Sequence, residues 1–318
     1  MKHRASRMLL SCLAALGLTG TTSATASDLP SINLGFTSFL DGAPPAGSGW
    51  YATQYLEYYT ADRINDNAGN KIALPKQNID IFAGLTQLVY QSPFKIAGAH
   101  PGIDVILPWV ASAHTDDGMG DVALNARTGF GDVLVGPFIQ FDPIMGPNGP
   151  RFAQRFEFQI IAPTGAYDPS KAINPGSGFW SVDPYWAATV WINRKWTVSW
   201  RLHYLWNATN DRPYQGLGTD VTSSQAGQAL HANLATEYEV MPGLRVGLNG
   251  YWLRQITDMK VNGQNVSGQR EAVWAIGPGA MYSFSQHDHL MFNAYFEADA
   301  RNRPEGTRLV LRYVHHFQ

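Results

Sequence analysis

The sequence predicts an all-β protein whose strands close into an antiparallel transmembrane β-barrel of about twelve strands. Three observations predict this fold. The stretch Trp196–Trp206 alternates apolar and polar residues without a break, long and short connections between similar stretches follow each other in order, and the amino terminus has the pattern of an export signal. Together they indicate a chain that leaves the cytoplasm and crosses a membrane with strands.

The amino terminus predicts a cleaved signal peptide over residues 1–26. Three basic residues lie within its first seven positions, and the apolar stretch Met8–Leu18 that follows is too short to span a bilayer. Ala24–Ala26 is a small-residue cleavage site. The only cysteine, Cys12, lies inside this leader, so the mature chain is expected to contain neither a disulfide nor a reactive thiol.

The composition of the mature chain argues against a nucleic-acid partner. Removing the three leader residues from the 23 basic ones leaves 20 against 25 acidic ones, a net charge of about −5. Only 15% of all residues are charged, 12% are aromatic, and the mean hydropathy is slightly negative at −0.19. A low charged fraction together with many aromatic residues and a slightly negative mean hydropathy is typical of a barrel, in which only every second residue of a strand meets lipid.

The strand around Trp196 has a period of two. One face carries Trp196, Val198, Trp200, Leu202, Tyr204 and Trp206. The other face carries Thr197, Ser199, Arg201 and His203. At about 3.3 Å per residue and a tilt of about 45°, the stretch rises roughly 23 Å, close to the apolar height of an outer membrane. Trp196 at one end and Tyr204 with Trp206 at the other are therefore expected to lie at the two membrane interfaces.

Eleven further segments repeat this pattern less cleanly, which brings the predicted total to twelve strands. They are 50–61, 78–91, 102–113, 129–141, 152–162, 184–192, 228–240, 244–256, 272–284, 290–299 and 307–317. The last strand places Leu309, Leu311, Tyr313, His315 and Phe317 on one face. An aromatic residue near the carboxyl terminus is what barrel-assembly machinery looks for, although Gln318 follows Phe317 and His315 interrupts the apolar face.

The connections alternate between long and short, as in outer-membrane barrels with external loops and periplasmic turns. The tight connections are 193–195, 241–243 and 286–288. The long ones are 62–75, 113–128, 163–183, 207–227 and 257–271. We expect this order to be strict, with 92–101 and 142–151 as somewhat longer turns. Residues 27–49, rich in glycine and proline, precede the barrel at 50–318 and are expected to lie on the periplasmic side and to enter the lumen.

Three stretches resemble the family of outer-membrane transporters named after the MetA-pathway of phenol degradation, also called SphA-like proteins. The first comprises Pro44–Gly47, Tyr55–Arg63, Asp66 and Gly69. The second comprises Gly129–Val133 with Gly136 and Pro137. The third comprises Ala162–Tyr167 with Asn174, Gly178, Phe179 and Pro184. The resemblance spans most of the mature chain and implies a barrel transporter. It suggests hydrophobic aromatic compounds as solutes without establishing one.

If the apolar faces meet lipid, the opposite faces line a polar lumen. The expected lumen-lining residues are Arg155, Glu157, Arg201, His203, His231, Glu237, Glu239, Glu297, Arg308 and Arg312. The expected membrane-interface residues are Trp196, Tyr204, Trp206 and Phe317. These features favour an outer-membrane channel for passive uptake of small, hydrophobic or aromatic compounds, in contact with outer-membrane lipid and lipopolysaccharide. The alternative is a barrel without transport, whose loops have a structural, adhesive or enzymatic role.

No catalytic, metal or cofactor site is predicted. Ser199 and His203 share a face but stand about 13 Å apart along the strand, beyond hydrogen-bond reach. The motif His287–His289 falls in a tight turn, and the neighbours His315–His316 face opposite ways in a strand. The aspartates in Asp116–Asp121 lack the spacing of a known calcium loop.

Overall fold

The fold was analysed in a computed structural model of the protein, which describes residues 29–43 and 46–317. The predicted signal peptide, residues 1–26, lies outside the described residues. The described chain forms one closed, antiparallel sheet of twelve main strands, as the sequence predicts. One 3₁₀ turn, Gln215–Leu217, is the helical element of this part of the chain. None of its helical segments has the length and apolarity needed to cross a bilayer.

The twelve strands follow one another around the barrel in chain order. They are β1 (Gly49–Ile64), β2 (Asn78–Gln91), β3 (Ala99–Asp116), β4 (Val133–Phe141), β5 (Gly149–Ala162), β6 (Ser181–Trp191), β7 (Trp196–Asn207), β8 (Ala229–Met241), β9 (Leu244–Gln255), β10 (Ala272–Ser283), β11 (Asp288–Arg301) and β12 (Pro304–His316). Short strands at Gly129–Phe130, Ile144–Gly146, Ser224–Gln225, Met259–Val261 and Gln264–Val266 extend the connections.

Pairing between the first and last strands closes the barrel. The register of β1 against β12 runs from Tyr51 opposite His316 to Ile64 opposite Pro304, with one bulge near Ala61. Closure matters in a membrane because an open sheet edge would leave unpaired N–H and C=O groups in hydrocarbon, where water cannot bond them.

Burial along the strands follows the predicted period of two. In β7, Thr197, Ser199 and Arg201 are buried, whereas Trp196 and Leu202 on the opposite face are exposed. The same pattern recurs around the barrel, so large apolar side chains cover its outer surface while polar and hydrophobic side chains share its interior. A soluble protein rarely exposes so much contiguous apolar surface, and a lipid environment accounts for it.

The two ends of the barrel differ in their connections, and we call them the loop end and the turn end. The turn end carries the amino terminus of β1 and five mostly short connections, including 192–195 and 242–243. The loop end carries long connections, including 163–180 and 208–228. The expected strict alternation is wrong at the last loop-end connection. Only two residues, Asn302 and Arg303, join β11 to β12. Asn302 has a φ of 53°, and a positive φ of this kind allows the tight turn of a short hairpin.

One predicted strand is divided. The sequence predicts 129–141 as one strand, but pairing stops at Gly131 and Asp132 and resumes at Val133. Pro108 of β3 lies opposite this point and has no N–H to donate, and the carboxylate of Asp132 accepts hydrogen bonds from the 163–180 connection instead. The break positions a loop over the lumen.

Candidate functional site

The described amino-terminal residues 29–43 contact the interior face of the barrel. The backbone N–H of Gly35 donates to Asn233 Oδ1 at 2.7 Å, and the Tyr295 hydroxyl donates to the Gly35 carbonyl at 2.8 Å. Gly35 has a φ of 83°, and a Cβ added there would lie 2.8 Å from the Tyr295 ring. Only glycine fits this conformation and this close approach. The segment is therefore fixed against the barrel wall by specific contacts.

Toward the turn end, the segment is held by polar contacts. Arg201 donates two hydrogen bonds to the Asp41 carboxylate, at 2.7 and 2.8 Å, and both side chains are buried. The Gly42 N–H donates to Thr189 Oγ1 at 2.9 Å, and its carbonyl accepts from Gln140 Nε2 at 3.0 Å. A bidentate arginine–carboxylate pair fixes orientation as well as charge. Here the segment joins β4, β6 and β7.

Toward the loop end, the segment presents apolar side chains. Leu34 packs in the same buried cluster as Tyr55 and Tyr251, and the Phe36 ring meets the Tyr55 ring edge-on at 5.8 Å. Ile32 is partly buried against this cluster. Aromatic pairs in this geometry stabilise a contact beyond the area they bury. The contacts of the segment in this half are thus mainly hydrophobic, whereas its turn-end part combines polar contacts with the packing of Phe39 against Met281 and Met291.

Charged groups in the loop-end half of the lumen are paired with one another. Arg308 Nη1 donates to Glu57 Oε2 at 2.6 Å. Glu297 accepts hydrogen bonds from the Tyr59 and Tyr251 hydroxyls at 2.8 and 2.7 Å. Buried charges persist only when partners replace the lost water, and these partners come from the barrel wall itself. The charges therefore do not make this half of the lumen a free ionic path.

A cavity of about 340 Å³ opens between this hydrophobic interior and the loops. Its apolar lining includes Ile32, Leu34, Phe36, Ile64, Ile79, Leu124, Ile173 and Phe179. Its polar lining includes Glu57, Asn210, Arg303 and Arg308. This volume lies at the lower end of the range of small-molecule pockets, which are likewise mostly apolar with a few polar groups. The cavity suits a small hydrophobic molecule.

Asp132 holds the 163–180 connection over this cavity. Its Oδ1 accepts from the Gly165 N–H at 2.8 Å, and its Oδ2 accepts from the Ser177 N–H and hydroxyl at 2.7 and 2.6 Å. A Cβ on Gly165 would lie 2.5 Å from the Gly131 carbonyl carbon, so the two loops touch backbone to backbone. The glycine–aspartate and Pro-Thr-Gly stretches of the sequence thus meet in space and place Phe179 at the cavity wall.

The barrel wall carries a shallow apolar depression where two prolines interrupt strand pairing. Pro137 in β4 and Pro184 in β6 have no ladder partner in β5 and β7 respectively, because proline has no N–H to donate. The depression is lined by outward residues such as Phe158 and Leu202 and reaches the inward residue His203.

The predicted lumen-lining residues lie on the inner face of the barrel. Glu157, Arg201, His203, His231, Glu237 and Arg312 are buried, and Arg155, Glu297 and Arg308 have largely covered side chains. Glu239 lies near the turn end and pairs with Arg245 at 2.8 Å. Arg201 forms its ion pair with Asp41 of the amino-terminal segment. Ion pairs such as Arg308–Glu57 and Arg245–Glu239 join residues of the barrel wall instead.

The predicted interface residues lie on the outer face. Trp196, Tyr204, Trp206 and Phe317 are all exposed. Trp196 donates its indole N–H to Thr236 Oγ1 at 2.8 Å near the turn end, and Tyr204 donates to Gln228 Oε1 at 2.9 Å near the loop end. Gln318, the last residue, lies outside the described residues.

Ser199 and His203 do not pair with each other. Ser199 Oγ hydrogen-bonds Thr189 Oγ1 at 3.0 Å, whereas the His203 ring contacts Asp183. The hydroxyl of Ser199 therefore has no base beside it.

A buried cluster that sequence reasoning missed lies in the wall between β6, β7 and β8. His203 Nδ1 lies 3.0 Å from Asp183 Oδ2, and His231 Nε2 lies 3.2 Å from Asp183 Oδ1. The two imidazole rings stack at 4.1 Å. The period of two predicts that both histidines face inward, but only the register between strands brings Asp183 to them.

Two histidines near the turn end, His287 and His316, contact each other. His287 Nδ1 lies 2.9 Å from His316 Nδ1, and the His316 Nε2 lies 3.0 Å from the Ser48 carbonyl. His315 faces outward and bonds Asp288 at 2.8 Å.

The acidic loop 116–121 is organised around Asp117. Its carboxylate accepts backbone N–H bonds from Met119, Asp121, Ala123 and Leu124. Burial alone raises the pKa of Asp117, but these backbone donors outweigh it and lower the pKa from 3.8 to about 2. The oxygens of this side chain are already used, so the loop is fixed by its own backbone.

Comparison with known proteins supports the fold. A family model described as "Putative MetA-pathway of phenol degradation" matches residues 61–313. An outer membrane channel from Pseudomonas putida F1 has a similar structure, with a TM-score of 0.75 at 18% identity, covering 90% of this chain and 100% of the other. No curated protein matches the sequence at a significant level.

More distant barrels match with lower scores. The translocator domain of the autotransporter NalP from Neisseria meningitidis has a TM-score of 0.47 at 9% identity, covering 85% of this chain and 89% of the other. The TodX monoaromatic hydrocarbon channel has a TM-score of 0.44 at 8% identity, covering 88% of this chain and 93% of the other.

Proposed function

The chain belongs to the family of the MetA-pathway of phenol degradation, and we propose that it is an outer-membrane channel for passive uptake of small hydrophobic or aromatic compounds. The proposal includes export by a signal peptide at 1–26 and an orientation in which the loop end faces the outside, as is usual for outer-membrane barrels. Entry would then begin at the loops.

The observation that carries the proposal is the cavity at the loop end. It is lined by aromatic and aliphatic side chains of the strands, the loops and the amino-terminal segment, including Ile79, Phe36 and Phe179. Its charged neighbours Arg308 and Glu57 neutralise each other at 2.6 Å. An apolar solute would leave water for a surface of matching polarity there, gaining about 25 cal/mol per Å² of apolar area removed from water.

The amino-terminal segment has the role of a plug in this proposal. Residues 29–43 occupy the lumen from the apolar cluster at Leu34 to the ion pair at Asp41. A solute that has entered the cavity would continue inward when the turn-end contacts of the segment separate, or leave through the depression beside Pro184, where strand pairing is interrupted. No cofactor takes part in either route.

Uptake by intact Gram-negative cells tests the proposal, because their lipopolysaccharide leaflet slows apolar solutes that cross phospholipid vesicles freely. A strain without the protein is compared with the same strain expressing it, using labelled small aromatic molecules and a sugar of similar size. We expect expression to accelerate entry of the aromatic compound and to leave sugar entry unchanged.

Equal acceleration of both solutes would contradict selectivity for apolar compounds, and no acceleration of either would contradict transport. The F179Q variant tests the part of the cavity in this uptake, since Phe179 lines the cavity. It should retain the barrel and lose part of the aromatic uptake.

A further inference from the structure

The ion pair of Arg308 and Glu57 forms part of the wall of the loop-end cavity. Arg308 belongs to β12 and Glu57 to β1, the two strands whose pairing closes the barrel. Both residues line the cavity, and their side chains are 11% and 8% exposed. A solute held in the cavity therefore meets a charged pair within a surface that is otherwise mostly apolar.

One hydrogen bond joins this pair. Arg308 Nη1 donates to Glu57 Oε2, whereas the Arg201–Asp41 pair uses two nitrogens and both carboxylate oxygens. Within the part of the chain that the structure describes, Arg308 Nη2 and Glu57 Oε1 make no hydrogen bond. A donor and an acceptor thus remain unused on neighbouring side chains of the cavity wall.

Aromatic rings hold the guanidinium in place without using its donors. The central carbon of the Arg308 guanidinium lies 5.2 Å from the centre of the Tyr59 ring, 5.6 Å from that of Tyr251 and 5.9 Å from that of Phe36. Aromatic faces attract a cation at such distances. Both tyrosine hydroxyls donate to Glu297. The arginine is therefore positioned by its surroundings while Nη2 stays available.

A hydroxyl group complements an unused donor beside an unused acceptor. Its oxygen accepts from an N–H, and its hydrogen is donated to a carboxylate oxygen. A hydrocarbon that covered this wall would exclude water from the pair without replacing the lost hydrogen bonds, which is unfavourable. A site that can bond a hydroxyl consequently discriminates against an analogue of the same shape that lacks one.

The balance of charge at the wall disfavours an anion. Glu57 already neutralises Arg308, and Arg303, the other arginine of the lining, lies 3.3 Å from Glu271. A carboxylate bound at Arg308 would place a second negative charge beside Glu57, and repulsion is strong where water is scarce. Lys171, the lysine of the lining, belongs to the 163–180 connection and not to the wall that carries the pair.

We propose that Arg308 and Glu57 recognise the hydroxyl group of an otherwise apolar solute, so that the cavity prefers neutral alcohols to hydrocarbons and to carboxylates. The hydroxyl oxygen would accept from Arg308 Nη2 and donate its hydrogen to Glu57 Oε1, while the apolar part lies against side chains such as Ile79 and Phe179. This assignment rests on the proposed function, because it names the class of solute that the same cavity takes.

Calorimetric titration of the purified full-length barrel in detergent, referenced to protein-free micelles, tests the preference. The solutes are 2-phenylethanol, propylbenzene, which has a methyl group in place of the hydroxyl, and phenylacetate. The affinity ratio of the alcohol to propylbenzene is compared between the wild type and E57L/R308L, so that partition into micelles cancels. We expect the ratio to fall by about 10-fold or more in the variant, as for the loss of hydrogen bonds to charged groups. Phenylacetate should bind the wild type more weakly than the alcohol.

D258L/R270L is the matched control. Asp258 and Arg270 also form an ion pair at the loop end, with one contact of 2.7 Å, and neither residue lines the cavity. This variant should keep the wild-type ratio, and heat-modifiable electrophoretic mobility checks that each variant is folded. Wild-type crystals soaked with 2-(4-bromophenyl)ethanol give a measurement without any substitution. We expect its hydroxyl beside Arg308 and its bromine, located by anomalous scattering, at the far end of the molecule.

An unchanged affinity ratio in folded E57L/R308L, or bromine beside Arg308 in the crystal, would overturn the role of the pair. Because both solutes would still bind in that case, the proposed channel function would stand. Tighter binding of phenylacetate than of the alcohol would overturn the preference for neutral solutes. Binding of none of the three solutes to the wild type would contradict the proposed function and the assignment that rests on it.

Discussion

The two halves of the lumen hold the same amino-terminal segment in different ways, because a buried ion pair and hydrogen bonds to the backbone of Gly42 are added in the turn-end half. In the loop-end half, Leu34 and Phe36 pack against tyrosine rings and border a cavity. In the turn-end half, Phe39 packs against Met281 and Met291, and Asp41 and Gly42 make buried hydrogen bonds to the wall. Under the proposed function the two halves have different tasks: the loop-end half would offer an apolar surface to a solute, and the turn-end half would keep the passage closed. Dispersed apolar contacts adapt to a guest, whereas directional polar contacts specify one position.

Removing residues 29–43 should have the largest effect, because it takes the plug from both halves at once. Single-channel recordings in planar bilayers should change from a closed baseline to resolved steps, with conductance raised by an order of magnitude. The control is a deletion of the loop residues 262–263, which lie in a hairpin at the loop end. Unchanged conductance after deletion of 29–43 would contradict the division into two halves.

Separating the ion pair of Asp41 should affect the turn-end half alone. D41N leaves the buried Arg201 guanidinium without its carboxylate, and breaking a buried pair costs about 3–5 kcal/mol. We expect frequent channel openings at an unchanged affinity of the cavity for apolar solutes.

E57Q is the comparison for this variant, since it breaks the pair of Glu57 with Arg308, which joins two strands of the wall. It should lower barrel stability without raising the frequency of openings. Equal opening in both variants would mean that any loss of lumen charge opens the channel.

Making the cavity polar should affect the loop-end half alone. F179Q removes a phenyl ring from the cavity wall, and losing about 1.5 kcal/mol of apolar contact corresponds to roughly tenfold weaker binding of an aromatic solute. Fluorescence quenching by the solute measures the affinity. F130Q changes an exposed phenylalanine of the short strand Gly129–Phe130 outside the cavity and should bind like the wild type.

The smallest expected effect is a loss of order in the loop around Asp117, at the loop end, when the pH falls. The pKa of Asp117 is lowered to about 2 from 3.8, so its backbone contacts stabilise the loop above about pH 4 and are lost as the pH falls toward 2. Proteolysis of the 117–128 loop by an acid-active protease should therefore accelerate over this range. D117N should be cleaved rapidly at every pH; protection of D117N at pH 5 would contradict the role of the carboxylate.

Much of the barrel could be predicted from the sequence because its signal is local. The alternation in Trp196–Trp206 requires only neighbouring residues, and so does the inward direction of His203 and His231. The break at Asp132 and the two-residue turn after Arg301 were not predicted, because the first depends on which residue of β3 lies opposite, here Pro108, and the second on the positive φ of Asn302.

The site was less predictable than the fold because its contacts are long-range. Asp183 meets His231 across 48 positions, and Asp41 meets Arg201 across 160. No periodicity connects such pairs, and the glycine- and proline-rich segment before β1 has no regular pattern that would reveal its contacts. The sequence predicts which residues face inward, and strand register decides which of them meet.

Anomalous diffraction from crystals soaked with bromobenzene tests most directly whether the apolar cavity binds solutes. Bromine identifies its own position, so the measurement distinguishes the cavity from the detergent around the barrel. We predict an anomalous peak in the loop-end cavity, beside Phe36, Ile79 and Phe179, that disappears in F179Q and persists in F130Q. Bromine confined to the outer surface at saturating concentration would contradict the account.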